Sequence, residues 1–156
     1  MTEDEFMLDT FYRFKKFAIV GISRTWQRPS NFVGKYLLYH GYSVYPVNPK
    51  YTSVLGQRCF PRLSDVVDSI EVVICFRRAD SLLQLLPEFN KKKVKVLWLQ
   101  LGIICEKVKA EAEALGIQVV MDRCIKIEHA RLFGGLNFMG VNTKVISSKR
   151  SRIVFN

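Results

Sequence analysis

Short apolar runs alternate along the chain with stretches whose apolar side chains recur every three or four positions, and this alternation predicts the fold. In residues 1–16, Phe6, Leu8, Phe11, Tyr12 and Phe14 follow an acidic start with the spacing of an amphipathic helix. Phe17-Ala18-Ile19-Val20 is continuously apolar and ends at Gly21, as expected of a strand buried on both faces of a parallel sheet. A helix is predicted from Pro29-Ser30 to His40, with Ser30 as its cap, Phe32, Val33, Tyr36 and Leu37 on its apolar face, and Gly41 as its stop. Val44-Tyr45-Pro46-Val47 reads as a second strand, although Pro46 withholds a ladder donor, and Asn48-Pro49-Lys50 turns the chain.

Residues 55–61 leave room for one very short strand, and a helical turn over 64–67 is expected, capped by Ser64. Strands over 72–76, 94–99 and 118–121 then alternate with helices over 80–89 and 105–115, the second closed by Gly116. Repeated βαβ order implies right-handed crossovers and an α/β fold: a Rossmann-like three-layer sandwich with a mostly parallel sheet of five or six strands. Residues 133–156, with Gly134-Gly135 and a basic stretch over 144–152, show no clear period. They are set apart as a basic C-terminal extension to a domain of residues 1–132.

Composition narrows the classes. The chain has 156 residues and is 49% hydrophobic, enough for one domain with a real core. No apolar run approaches the roughly 20 residues of a membrane span, so no membrane partner is expected. The acidic start Met1-Thr2-Glu3-Asp4-Glu5 is unlike a signal or transit peptide, so a cytoplasmic location is expected. Cys59, Cys75, Cys105 and Cys124 form no C-x-x-C pair, so neither zinc nor a redox dithiol is indicated. A net charge of +10 favours an anionic partner. The basic tail raises the question of nucleic acid, but no nucleic-acid-binding motif accompanies it.

In an open parallel sheet, ligands bind beyond the carboxyl ends of the strands, which directs attention to four loops. The first runs Gly21-Ile22-Ser23-Arg24-Thr25-Trp26-Gln27-Arg28-Pro29-Ser30 into a helix start, where backbone N–H groups and the helix dipole attract phosphate. Gly21 permits close backbone approach, Ser23 and Ser30 offer hydroxyls, and Arg24 and Arg28 offer charge. Ser23 and Trp26 stand where G-x-G-x-x-G needs glycines and no P-loop is present, so NAD binding and ATP hydrolysis lose ground. In the second loop, Asn48 and Lys50 replace the acid that would hold a ribose diol and suit a phosphorylated ribose better. In the third, Phe76-Arg77-Arg78 can stack on a base or pair with phosphate. The fourth sets Cys124 among Arg123, Lys126 and a possible helix start, which can lower a thiol pKa. The plainer reading is an unreactive, partly buried cysteine. His129 beside Glu128 reads as a structural histidine, and His40 as a complement to a helix dipole.

The motifs Val20-Gly21-Ile22-Ser23, Arg28-Pro29-Ser30, His40-Gly41-Tyr42, Pro46-Val47-Asn48-Pro49, Phe76-Arg77-Arg78, Trp98-Leu99-Gln100-Leu101-Gly102 and Met121-Asp122-Arg123-Cys124 with Lys126-Ile127-Glu128-His129 resemble the stand-alone CoA-binding-domain proteins. These are similar to the N-terminal domain of the succinyl-CoA synthetase α subunit. The resemblance covers residues 17–132. It implies a Rossmann-like domain that binds coenzyme A or acyl-CoA. Gly21, Ile22, Ser23, Arg28 and Ser30 would lie near the phosphates. Lys50 would lie near the ribose phosphate and Phe76, Arg77 and Arg78 near adenine, with Asn48 and Pro49 also expected among the cofactor-binding residues. Gln100, Gly102 and Cys124 would lie toward the pantetheine end. It transfers binding and not ligase activity, so a non-catalytic module is expected. The alternatives are a thiol enzyme that exchanges Cys124 with the CoA thiol, and an NAD(P)- or adenine-nucleotide-binding protein. Cys75 and the basic tail depart from the family pattern.

Overall fold

The amphipathic opening forms α1 (Glu3–Arg13) in the computed structural model, which describes residues 1–135. Thr2 and Glu5 make a capping box: the Glu5 N–H donates to Thr2 Oγ1 at 3.1 Å and the Thr2 N–H to Glu5 Oε1 at 3.4 Å. The described chain divides into two units, Phe14–Cys124 and Met1–Arg13 with the residues from Ile125 onward.

In the first unit, β1 (Lys16–Val20) is followed by α2 (Pro29–Tyr39) and β2 (Ser43–Val47). A short hairpin, β3 (Ser53–Val54) and β4 (Gln57–Arg58), and a 3₁₀ turn at Leu63–Asp65 come next. The chain then runs through β5 (Val72–Cys75), α3 (Ala79–Lys91), β6 (Val96–Leu99), α4 (Glu106–Ala114) and β7 (Gln118–Val120). The five main strands form one parallel sheet in the order β2-β1-β5-β6-β7, as expected of a Rossmann-like α/β fold. Val20 stands in register with Val47 on one side and Cys75 on the other, and Cys75 with Leu99.

Side-chain alternation sorts the two faces. Ala18, Val20, Val73, Cys75, Leu97 and Leu99 share a core with Leu82, Leu86 and Phe89 of α3 and Val108 and Ala112 of α4. Burying each of the larger side chains contributes about 1.5–3 kcal/mol. The other face holds the buried Phe17, Ile19, Ile74 and Trp98. There α2 comes so close that a Cβ on Gly34 would lie 3.3 Å from Ile22 Cδ1 and 3.6 Å from Ile19 Cδ1.

Several local expectations need correction. Arg28 occupies the cap position of α2 with no side-chain cap bond, and Ser30 lies inside the first turn. The buried stripe of α2 runs through Ser30, Val33, Gly34 and Leu37, one residue round from the predicted face, which leaves Phe32 42% exposed. Where one short strand was expected there are two, joined through Leu55 (φ 55°) and Gly56 (φ 73°). Positive φ at both central positions matches the twist of a two-residue hairpin, but leucine there is rare. Leu55 is held by packing, since its Cδ1 lies only 2.6 Å from where a Cβ on Gly34 would sit. Ser64 is no cap either: its N–H donates to Glu88 Oε2 at 2.7 Å, and Asp65 accepts the Arg62 N–H at 3.1 Å instead. Pro46 is accommodated because β2 is the edge of the main sheet, and its carbonyl accepts the Phe60 N–H at 2.9 Å.

In the second unit, α5 (Ile125–Ala130) leads into a wide turn at Arg131–Gly135. His129 stacks on Phe133 at 4.6 Å and meets Phe11 edge-on at 4.9 Å, the structural role read for it. Arg131 bonds Asp4 at 2.7 Å and Glu128 at 2.8 Å. Apart from Phe133–Gly135, the C-terminal extension lies outside the described residues.

Candidate functional site

After β1 the chain moves outward to β2 and then returns across β1 to β5, so the loops leaving β1 and β5 diverge at the topological switch point of the sheet. Gly21 opens the first loop with φ +87°, a conformation that disfavours any side chain, and its N–H donates to Val47 O at 2.9 Å. A Cβ at this glycine would lie 3.3 Å from Arg77 Nε, so Gly21 makes room for an arginine from the diverging loop. The Phe76 N–H donates to Val20 O at 2.9 Å and pins that second loop to the end of β1.

Polar side chains hold the loop backbone in shape. Asn48 Nδ2 donates to Ile22 O at 2.9 Å, and Asn48 Oδ1 accepts the Lys50 N–H at 2.9 Å. Ser30 Oγ accepts the Ser23 N–H at 2.9 Å, and Asn31 Nδ2 donates to Ser23 O at 2.8 Å. Ser23 Oγ accepts the Thr25 N–H at 3.0 Å. Ser30 and Asn48 therefore shape the loop, while the Ile22 side chain is buried in the core and only its backbone faces the loop. Asn31, which the sequence patterns did not single out, is 2% exposed, and its Oδ1 has no hydrogen-bond partner among the described residues. An asparagine directly after Pro29-Ser30 at a helix start was the available signal.

The charges around this loop are of one sign. Arg24, Arg28, Lys50 and Arg77 make no ion pair among the described residues, whereas Arg78 meets Asp80 at 3.4 Å. The Arg24 guanidinium lies over the Tyr51 ring at 5.8 Å. Lys35 sits near both Trp26 and Phe32, at 5.9 and 5.4 Å. Pro49 is exposed at the tip of the second loop. Burial pushes the Cys75 thiol far up from its ordinary pKa. It also raises that of Cys59, whose S–H donates to Asn48 O at 3.5 Å.

The loops leaving β6 and β7 lie farther along the same edge, about two and three strand spacings of roughly 4.8 Å from β1. Gln100 is 5% exposed, and its Nε2 finds no acceptor among the described residues. The Gly102 N–H donates to Asp122 Oδ1 at 2.7 Å, and Asp122 holds a positive φ of 60°. Trp98 Nε1 donates to Arg123 O at 2.8 Å. Leu101 and Ile104 project into solvent, 66% and 61% exposed. Cys124 is half-buried and unpaired, and Asp122 is a second residue that periodicity did not reveal.

The chain belongs to the family of CoA binding domains, which it matches over residues 15–130. It is similar to the uncharacterized protein YneT of Bacillus subtilis, 35% identical over 118 residues that span 76% of this chain and 87% of that protein. A hypothetical protein from Pyrococcus horikoshii superposes with a TM-score of 0.82 at 41% identity, over 85% of this chain and 94% of the other. An ADP-forming acetate–CoA ligase of Methanocaldococcus jannaschii is 26% identical over 126 residues, covering 76% of this chain but 18% of the ligase. The chain thus spans less than a fifth of that enzyme.

Proposed function

We propose that this protein is a coenzyme A or acyl-CoA binding module without catalysis of its own, with the ligand phosphates on the Gly21–Ser30 segment. The observation that carries this reading is the set of cations without an ion pair among the described residues, Arg24, Arg28, Lys50 and Arg77, around a glycine-opened loop at the switch point of a CoA-binding-domain fold. In this reading Arg28 and the loop that opens at Gly21 approach the diphosphate, while Ser30 and Asn48 keep the loops in shape and the Gly21 and Ser23 N–H groups serve the protein's own acceptors. Lys50, beside Pro49, meets the ribose phosphate. Phe76, Arg77 and Arg78 meet adenine, and Gln100, Gly102 and Cys124 face the uncharged arm. The absence of catalysis is supported by how the polar groups are used: Ser23, Ser30 and Asn48 are engaged in holding backbone. The four unpaired thiols fit a reducing cytoplasm.

Isothermal titration of the reduced protein with CoA, acetyl-CoA, NAD and ATP tests this. Micromolar CoA binding that weakens about tenfold in Lys50→Ala is expected, the loss of one charge-assisted contact. Heat with NAD or ATP and none with CoA would sink it.

A further inference from the structure

The turn after β2 is where a diol-binding domain of this class presents a carboxylate acceptor. Here Asn48 takes that place, and both ends of its amide are engaged by the protein, Nδ2 with Ile22 O and Oδ1 with the Lys50 N–H, each at 2.9 Å. No acidic residue occurs in residues 21–30 or 48–61. What the turn offers to solvent is cationic: the exposed Lys50, and the exposed Arg24 brought from the neighbouring loop.

Arg24 is not a loose surface arginine. Its guanidinium lies 5.8 Å from the centre of the Tyr51 ring, and Tyr51 belongs to the turn that carries Lys50, since its N–H donates to Asn48 O at 3.4 Å. A guanidinium laid on an aromatic face keeps its charge and its edge donors while giving up part of its rotational freedom. Two cations on adjacent loops, without an ion-pair partner among the described residues, suit a compact dianion. A fork of N–H donors beside an ammonium matches phosphate better than a hydroxyl pair.

We propose that Arg24, positioned by Tyr51, joins Lys50 in reading a phosphate on the ligand's ribose, so that the site selects ribose-phosphorylated adenine nucleotides over their unphosphorylated counterparts. The proposal rests on the CoA-binding reading above and adds a specificity-determining residue and its positioning partner.

Titration of the full chain with CoA and with dephospho-CoA, which differ only in the ribose phosphate, tests it. The wild-type protein should prefer CoA at least tenfold. Arg24→Gln should cut that preference about fivefold by weakening CoA alone, and Tyr51→Leu should cut it less. Tyr51→Phe, which keeps the ring, should leave it unchanged. Equal binding of the two ligands by the wild type, or an Arg24→Gln variant that weakens both alike or neither, overturns the proposal and leaves CoA binding standing. Failure of the wild type to bind either ligand overturns the CoA-binding reading, and this inference with it. Arg24 is exposed, so circular dichroism of the variant should match the wild type.

Discussion

The two ends of the sheet's carboxyl edge are built differently. Around β1, β2 and β5 the loops are cationic and held by amides and hydroxyls, with Ser23, Ser30, Asn31 and Asn48 fixing the backbone while Arg24, Arg28, Lys50 and Arg77 make no ion pair among the described residues. Around β6 and β7 the carboxylate of Asp122 holds the Gly102 N–H, and the exposed side chains include the apolar Leu101 and Ile104. The contrast divides the labour expected of an elongated ligand: a charged end needs donors and cations, whereas an uncharged arm needs apolar surface and few polar contacts. The cluster of Arg24, Arg28, Lys50 and Arg77 is a local property of the β1, β2 and β5 loops and not a consequence of the net +10 alone.

Gly21→Val should break the cationic half most severely. It puts a β-branched side chain at φ +87° and drives Cβ toward Arg77, at a cost of about 1–2 kcal/mol from the backbone alone. Thermal melting should show a fall of several degrees, and titration should show CoA binding lost. A variant with the wild-type melting point and affinity would remove Gly21 from the site.

Asn48→Ala comes next. It deletes two hydrogen bonds worth about 0.5–1.5 kcal/mol each and strands the Ile22 carbonyl. Amide hydrogen exchange should quicken in residues 21–25 and 48–51 and stay unchanged in residues 100–104, which would show that the halves are held independently. Asp122→Ala probes the opposite half by removing the tie to Gly102. CoA should weaken by about threefold to tenfold, an order set by one hydrogen bond, while adenosine 3′,5′-bisphosphate, which lacks the arm, should bind as before. Equal weakening of both ligands would erase the division.

Thiol chemistry should show the smallest effect. Under mildly alkaline native conditions an alkylating reagent should reach the half-buried Cys105 and Cys124 and spare Cys59 and Cys75, followed by peptide mass mapping. Burial holds the Cys75 pKa well above its ordinary value near 9, so the folded chain keeps a proton that the unfolded chain releases. Stability from this group is present below that value and falls as pH rises past it, so Cys75→Ala should make the alkaline slope shallower in denaturant titrations, with the buried Cys59 and Tyr42 still contributing to it.

Much of the fold is legible in the sequence. Apolar runs locate the five main strands, and the intervening segments locate α1 to α4 but not the six-residue α5, because burial of a strand or of a longer helix face is written into neighbouring residues. The hairpin is hidden from local patterns because leucine at positive φ contradicts local preference, and Leu55 packs against α2 at Gly34. Ser30 looks like a cap from its position, but its hydroxyl meets a loop N–H seven residues earlier in the chain.

By itself the sequence determined the order of the five main strands and of α1 to α4, the glycine after the first strand, the residue types in each loop and the family to which they belong. The tertiary structure alone decided that Asn48 serves the Ile22 carbonyl 26 residues away, that Asp122 serves Gly102 20 residues away, and that Arg24 lies on Tyr51. The reason is physical. Periodicity records which side chains leave water, while these partners meet only because the crossovers of a parallel sheet bring distant loops to one edge.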